Sequence, residues 1–165
     1  LVNIAVGHYY CRGLKLTMLD WSKWSRSPPA YINVENNLIE KVVNVQAARQ
    51  NSWLVASGNK LQAINLTFSK FYSVQLQNNR LTRVTSDMFR EMPLLTHLNL
   101  EGNMIETIHA DAFRNNTVLR YLNLKGNMLR VMNVEIFRKM NMVEVLSRVQ
   151  FDFSENLFLV FGGSY

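Results

Sequence analysis

Three arginines recur at a fixed interval in this chain. Arg90, Arg114 and Arg138 are evenly spaced. Stacked in space they would form a basic column able to meet a sulfated glycan or another acidic partner; the plainer alternative is a solvated face. Two acceptor patterns, Asn65-Leu66-Thr67 and Asn115-Asn116-Thr117, offer N-glycosylation at Asn65 and Asn115. The histidines offer no metal site, because His8, His97 and His109 lack ligand spacing. Phosphate-binding loop, nucleophile elbow and H-E-x-x-H patterns are all missing from the sequence. No catalytic residue, cofactor or metal is therefore assigned. The single cysteine, Cys11, forbids a disulfide within the chain. It reads as a buried small apolar side chain, as a thiol paired with another chain, or as one whose partner lies outside this stretch.

Composition bounds what can position these groups. The 165 residues are one domain's worth, 48% hydrophobic, with a net charge of +6 that is spread rather than blocked. Nucleic-acid binding does not follow from such a distribution. The apolar runs Leu1–Val6 and Leu157–Phe161 fall far short of the roughly 20 residues of a membrane span. Leu1–Val6, followed by Gly7, reads as the tail of a signal-peptide core or as a terminal strand.

The organising element is an asparagine. Asn79, Asn103 and Asn127 keep the same interval as the arginines, each in the frame L-x-x-L-x-L-x-x-N-x-L. With the first leucine as position 1, the clear repeats are Phe71–Leu94, Leu95–Val118 and Leu119–Met142, with Phe89, Phe113 and Phe137 at position 19. Two degenerate and shorter repeats precede them, Pro29–Gln50 and Asn51–Lys70. Positions 4 and 6 alternate inward on a short strand. The asparagine at position 9 is expected to be buried where the chain leaves the strand, bonding backbone groups otherwise orphaned. Asn37, Asn59, Asn79, Asn103, Asn127 and Asn156 would form that ladder.

This frame resembles the leucine-rich repeat family, and within it the 24-residue class of Toll-like receptor ectodomains and insect leucine-rich-repeat immune proteins. The resemblance implies an α/β right-handed solenoid, a horseshoe segment with a parallel concave β-sheet and short helical or irregular convex segments. Residues 1–28 would be an amino-terminal cap region and 29–165 about six repeats, the last incomplete. The resemblance also implies ends capped by disulfide-bonded cysteine clusters, a pattern from which this sequence departs with its single Cys11. Such solenoids bind rather than catalyse, so the implied function is a protein-interaction module of a secreted or cell-surface protein. Innate-immune recognition or an adaptor role is its specific form. Cell adhesion or matrix binding, or an intracellular structural scaffold, are the alternatives.

The expected binding residues lie on the concave face: Tyr31, Trp53, Gln75, His97, Asn99, Tyr121 and Asn123. Rings and amides supply contact area with hydrogen bonds, the chemistry of a protein ligand or co-receptor. Both sequons fall outside the strand frame, where a glycan leaves that face open. Trp21 and Trp24 are expected to close the amino-terminal end of the core. The carboxy-terminal end breaks the period: the step from Asn127 to Asn156 exceeds the step from Asn103 to Asn127 by the length of Ser147–Phe151. Either Ser147–Phe151 is an insertion within a strand, or the strand re-registers with Phe151 and Phe153 at positions 4 and 6. The chain then stops mid-repeat at Tyr165. Phe153, Phe158 and Phe161 are expected in an uncovered cross-section, inviting self-association through that open end.

Overall fold

The computed structural model describes residues 2–5, 7–24, 29–43, 52–66, 70–131, 133–139 and 150–157. Short strands follow the repeat frame. They are β1 (Val2–Ala5), β2 (His8–Tyr10), β3 (Met18–Asp20), β4 (Tyr31–Asn33), β5 (Lys41–Val43), β6 (Ser52–Val55), β7 (Phe71–Gln75), β8 (Arg83–Val84), β9 (His97–Asn99), β10 (Thr107–Ile108), β11 (Tyr121–Asn123) and β12 (Gln150–Asp152). A 3-10 turn, Trp21–Trp24, and one helix, α1 (Glu135–Lys139), complete the described elements. The Asn133 side chain caps α1 by accepting the Glu135 N–H at 2.9 Å.

One eight-stranded sheet runs in the order β1-β2-β4-β6-β7-β9-β11-β12, parallel throughout except for the β1–β2 hairpin. On the back of the solenoid, β3 pairs with β5 and β8 with β10, also in parallel. Each repeat lacks a face it can bury alone, so successive turns stack into one continuous core. Ile32, Leu54, Val74, Leu98 and Leu122, in register at position 4, are all buried. Phe89 and Phe113 are fully buried and stack at 6.0 Å in the wider back half. Phe137 is only partly buried and instead meets Phe153 edge-on at 5.9 Å. Trp21 is buried and packs edge-on against Phe71 at 5.9 Å, closing the core as expected; the side chain of Trp24 lies outside the described residues.

The asparagine ladder is present in every repeat. Asn103 is typical. Its Nδ2 donates to Leu100 O at 2.9 Å within its own turn and to Leu76 O at 3.0 Å in the preceding one. Its Oδ1 accepts the Leu81 N–H at 3.1 Å. Asn59, Asn79, Asn127 and Asn156 repeat this pattern one turn apart. Asn37 accepts from both Leu14 and Leu16 N–H and donates to Cys11 O at 2.7 Å. The ladder works because each strand exit leaves an inward N–H and inward carbonyls that water cannot reach. An unpaired buried group of this kind costs roughly 1–3 kcal/mol.

Position 8 just before it is left-handed in every repeat: Asn36 (φ 55), Gly58 (φ 65), Asn78 (φ 55), Gly102 (φ 63), Gly126 (φ 64) and Glu155 (φ 58). Gly58 and Gly102 are glycine for a second reason, since a Cβ there would meet the Oδ1 of Asn36 and Asn78 in the preceding turn.

The carboxy-terminal register settles the choice left open by the spacing. Leu122 pairs with Phe151 and Asn123 with Asp152, so Phe151 stands at position 4 and Phe153 at position 6. The strand is whole, and the reading of Ser147–Phe151 as an insertion inside it is corrected: the extra length falls between α1 and β12. The reason is energetic. Extra residues in a strand forfeit ladder bonds, whereas a longer connection costs little. Val143–Leu146, Ser147–Val149, Phe158 and Phe161 lie outside the described residues, as does any test of an open end there.

Candidate functional site

The outward side of the eight-stranded sheet carries a ladder of rings. In register at position 3 stand His8, Tyr31, Trp53, Ser73, His97 and Tyr121. Parallel strands about 4.8 Å apart bring such side chains into contact. His8 lies over Tyr31 at 5.9 Å, Tyr10 meets Tyr31 at 5.2 Å and His97 lies over Tyr121 at 6.1 Å. Ser73 is too small to continue the column, and the fold repairs the gap. Ser52 pairs with Phe71 but Trp53 with Ser73, so Tyr72 is an extra, bulged residue. Its ring sits 5.9 Å from Trp53 and 5.5 Å from His97, bridging strands β6 and β9 across β7. Trp53 is 45% exposed and Tyr10 40%, large values for rings and therefore available area.

Of the residues expected to bind, Tyr31, Trp53, Gln75, His97 and Tyr121 lie on this face, exposed or half-buried. Asn99 and Asn123 do not present free amides. They are 8% and 5% exposed, and their Oδ1 atoms accept the N–H two residues on, from Glu101 at 3.0 Å and Lys125 at 2.9 Å. Asn123 Nδ2 also donates to the Glu101 carboxylate at 3.0 Å. Asn33 and Asp152 make the same turn with Glu35 and Ser154. Where Asn or Asp stands at position 5 it is thus a turn-former, and the view of Asn99 as a surface residue is corrected. Gln75 keeps its role at the surface but commits Nε2 to Ser73 Oγ at 3.1 Å and Oε1 to Gln77 at 3.0 Å.

His97 has a defined tautomer. Thr96 Oγ1 lies 3.0 Å from Tyr72 O, a carbonyl that can only accept, so the hydroxyl proton goes there. His97 Nδ1, 2.9 Å from the same oxygen, must then be the donor. The neutral ring leaves Nε2 as an acceptor. Charge on the face sits near its ends. Arg12 pairs with Glu35 at 3.4 Å and Lys125 with Glu155 at 3.1 Å. The Glu155 carboxylate beside it holds the Lys125 ammonium above its ordinary value of 10.5. The Ser154 hydroxyl, then the Ser154 N–H, hold the Asp152 carboxyl below 3.8.

Three ring positions, at His8, Tyr10 and Tyr72, escaped the frame. His8-Tyr9-Tyr10 forms the strand β2, but its position 9 is Leu14, 51% exposed, where a repeat would carry asparagine. Tyr72 was hidden because a bulge is invisible in spacing alone. Its one signal was the lone small residue, Ser73, in an aromatic column. Asn65 and Asn115 are exposed and lie off the sheet face; Thr67 of the first sequon lies outside the described residues. Arg90 and Arg114 are exposed on the back, and the side chain of Arg138 is not among those described. Cys11 is a buried core thiol, 1% exposed. Among the described residues no cluster of His, Cys, Asp and Glu is arranged to hold a metal, and no helix is long and apolar enough to cross a membrane.

No curated protein matches the chain at a significant level. Residues 69–129 match the family model of the leucine rich repeat. That segment holds the two most regular turns, and the same asparagine geometry extends beyond it to Asn37 on one side and Asn156 on the other. The matched segment carries the leucine-rich repeat, and the turns stacked on either side of it continue the same solenoid.

Proposed function

We propose that the chain is the recognition module of a secreted or cell-surface protein, binding a protein ligand or co-receptor through the concave, ring-bearing face of its sheet. An innate-immune recognition or adaptor role is the specific form of that reading. One observation carries it: two clusters of touching rings share this face, His8, Tyr10 and Tyr31 in one and Trp53, Tyr72, His97 and Tyr121 in the other, with centroids 5.2–6.1 Å apart, and a bulge at Tyr72 carries the second cluster past Ser73. A fold has no packing reason to expose Trp53 beside Tyr72. Rings of this kind dominate binding energy at protein interfaces. Asn65 and Asn115 stand exposed away from the face, which suits glycosylation that leaves it open.

The test is capture from extracellular fluid by the chain made in a secreting host. Proteins retained by the wild type should be lost with the Trp53→Ala/Tyr72→Ala pair, since each hot-spot ring is worth about 2 kcal/mol or more. Retention unchanged by that pair but abolished by Arg90→Ala/Arg114→Ala would put recognition on the wrong side. Removing N-glycans should lower the mass of the secreted chain; no change would count against the extracellular reading.

A further inference from the structure

The back of the solenoid carries a second polar site that does not rest on the sheet-face reading. Ser86, Arg90, His109, Asp111, Arg114 and Asn115 line a cleft of about 440 Å³ between two consecutive turns. Arg90 and Arg114 hold the same repeat position in consecutive turns, so their charges stand side by side. Arg90 is 64% exposed and, among the described residues, forms one ion pair, with the exposed Glu91 at 3.6 Å, with the Asp87 carboxylate also within reach of its charge. Arg114 is exposed and makes no ion pair among the described residues. Neighbouring cations so weakly neutralised favour an anion between them.

The other groups narrow what that anion is attached to. The Asp111 backbone N–H donates to His109 Nδ1 at 3.0 Å, so the neutral ring carries its proton on Nε2 and offers a third donor. Asp111 brings a carboxylate, which repels a bare dianion but accepts from hydroxyls. Asn115 Nδ2 donates to Arg90 O at 3.1 Å, leaving its carbonyl and second N–H for a polar ligand. The walls are held rigidly. Asn116 Nδ2 donates to Phe89 O at 2.9 Å and Met92 O at 2.8 Å, tying one turn to the other above the stacked Phe89 and Phe113. A site fixed in advance loses little freedom on binding.

We propose that this cleft binds a sulfated saccharide, with a monoanionic sulfate ester between Arg90 and Arg114 and ring hydroxyls on Asp111 and Asn115. Occupancy of the Asn115 sequon would close the cleft, so the test uses the full chain from a host that does not N-glycosylate. A sulfated disaccharide, its unsulfated counterpart, the corresponding sugar phosphate and inorganic sulfate are titrated at one ionic strength. The sulfated disaccharide should bind at least tenfold more tightly than the other three. Arg90→Ala/Arg114→Ala should lose at least tenfold, while Arg80→Ala/Arg130→Ala, which removes the same charge elsewhere, should keep the affinity. Asp111→Asn should weaken the disaccharide yet strengthen inorganic sulfate, a reversal that mere unfolding does not produce. Inorganic sulfate binding as well as the disaccharide would mean an adventitious ion only. Sugar phosphate binding as tightly would mean the wrong anion. An equal loss in the Arg80/Arg130 pair would mean diffuse attraction; any of the three overturns the proposal.

Discussion

Two asparagines show how differently the two sides of this solenoid are built. On the sheet side, Asn103 ties one turn to the next through Leu81 N–H and Leu76 O. Its equivalents do the same in the shorter repeats of Asn37 and Asn59 and after the longest step, at Asn156. On the back, Asn116 also bridges two turns, to Phe89 O and Met92 O. Its counterparts one repeat before and after, Met92 and Met140, are not asparagine. The sheet exit leaves the same backbone groups unpaired in every turn, so the same side chain must bond them. The back has no continuous sheet, only the β3–β5 and β8–β10 pairs and bonds that differ from turn to turn. Length variation therefore accumulates on the back, and so do clefts.

The largest effect expected from that contrast is at Phe113. Phe113→Ala should cost roughly 3–5 kcal/mol, because rigid turns on either side cannot collapse onto the cavity. A urea midpoint near that of wild type would show that the back is softer than its buried rings suggest. Asn103→Ala orphans the buried Leu81 N–H and removes one of the two amide donors on each of Leu76 O and Leu100 O, and should cost about 2–4 kcal/mol for one unpaired buried group and two lost bonds. Asn99→Ala orphans the Glu101 N–H alone and should cost less, at most roughly 1–3 kcal/mol by the same rule. Equal melting shifts for these two would remove the distinction between ladder and turn.

Gly102→Ala should lose about 1–2 kcal/mol from its left-handed backbone, with more from displacing the Asn78 side chain. A two-residue insertion after Gln62, on the back of the shortest repeat, should cost under about 1 kcal/mol because loop closure grows slowly with length. The same insertion after Leu100 should unfold the repeat. Comparable losses at both places, measured by denaturant titration, would break the comparison between the sides.

The smallest effect is in pH. Asp152 and Asn99 accept the same N–H two residues on, but only Asp152 titrates. Its carboxyl is held below the ordinary 3.8, so the contact is complete above that pH and lost as pH falls through the lowered value. Lys125 is held above 10.5, so its pairing with Glu155 is complete below that pH and lost as pH rises past the raised value. Amide shifts of Ser154 should move at both extremes, and at the acid end by more than those of Lys125, whose N–H is held by the non-titrating Asn123. Identical acid titrations for the two amides would sink the assignment.

Much of this was legible in the residues. The position-9 asparagines, the inward leucines and the strand registers from β4 to β11 follow from spacing, because each is an obligation between a residue and the same residue one turn away. Position 9 must be an amide able to donate and accept at once, and only a buried strand exit in every turn asks for that. The same logic placed Tyr31, Trp53, His97 and Tyr121 in one column.

What only the tertiary structure decided is where that one-turn rule is broken or overlaid. The bulge that lifts Tyr72 into the gap above Ser73 depends on packing across three strands. The burial of Asn99 and Asn123 depends on turns that commit their oxygens to backbone N–H groups. β2 joins the sheet without an asparagine because its neighbour Asn37 supplies the bonds for both. β12 takes its register from β11 rather than from residue count. Spacing records which residues meet their counterparts one turn away; it does not record what a side chain does when its neighbours leave room, and that is settled only when the turns are stacked.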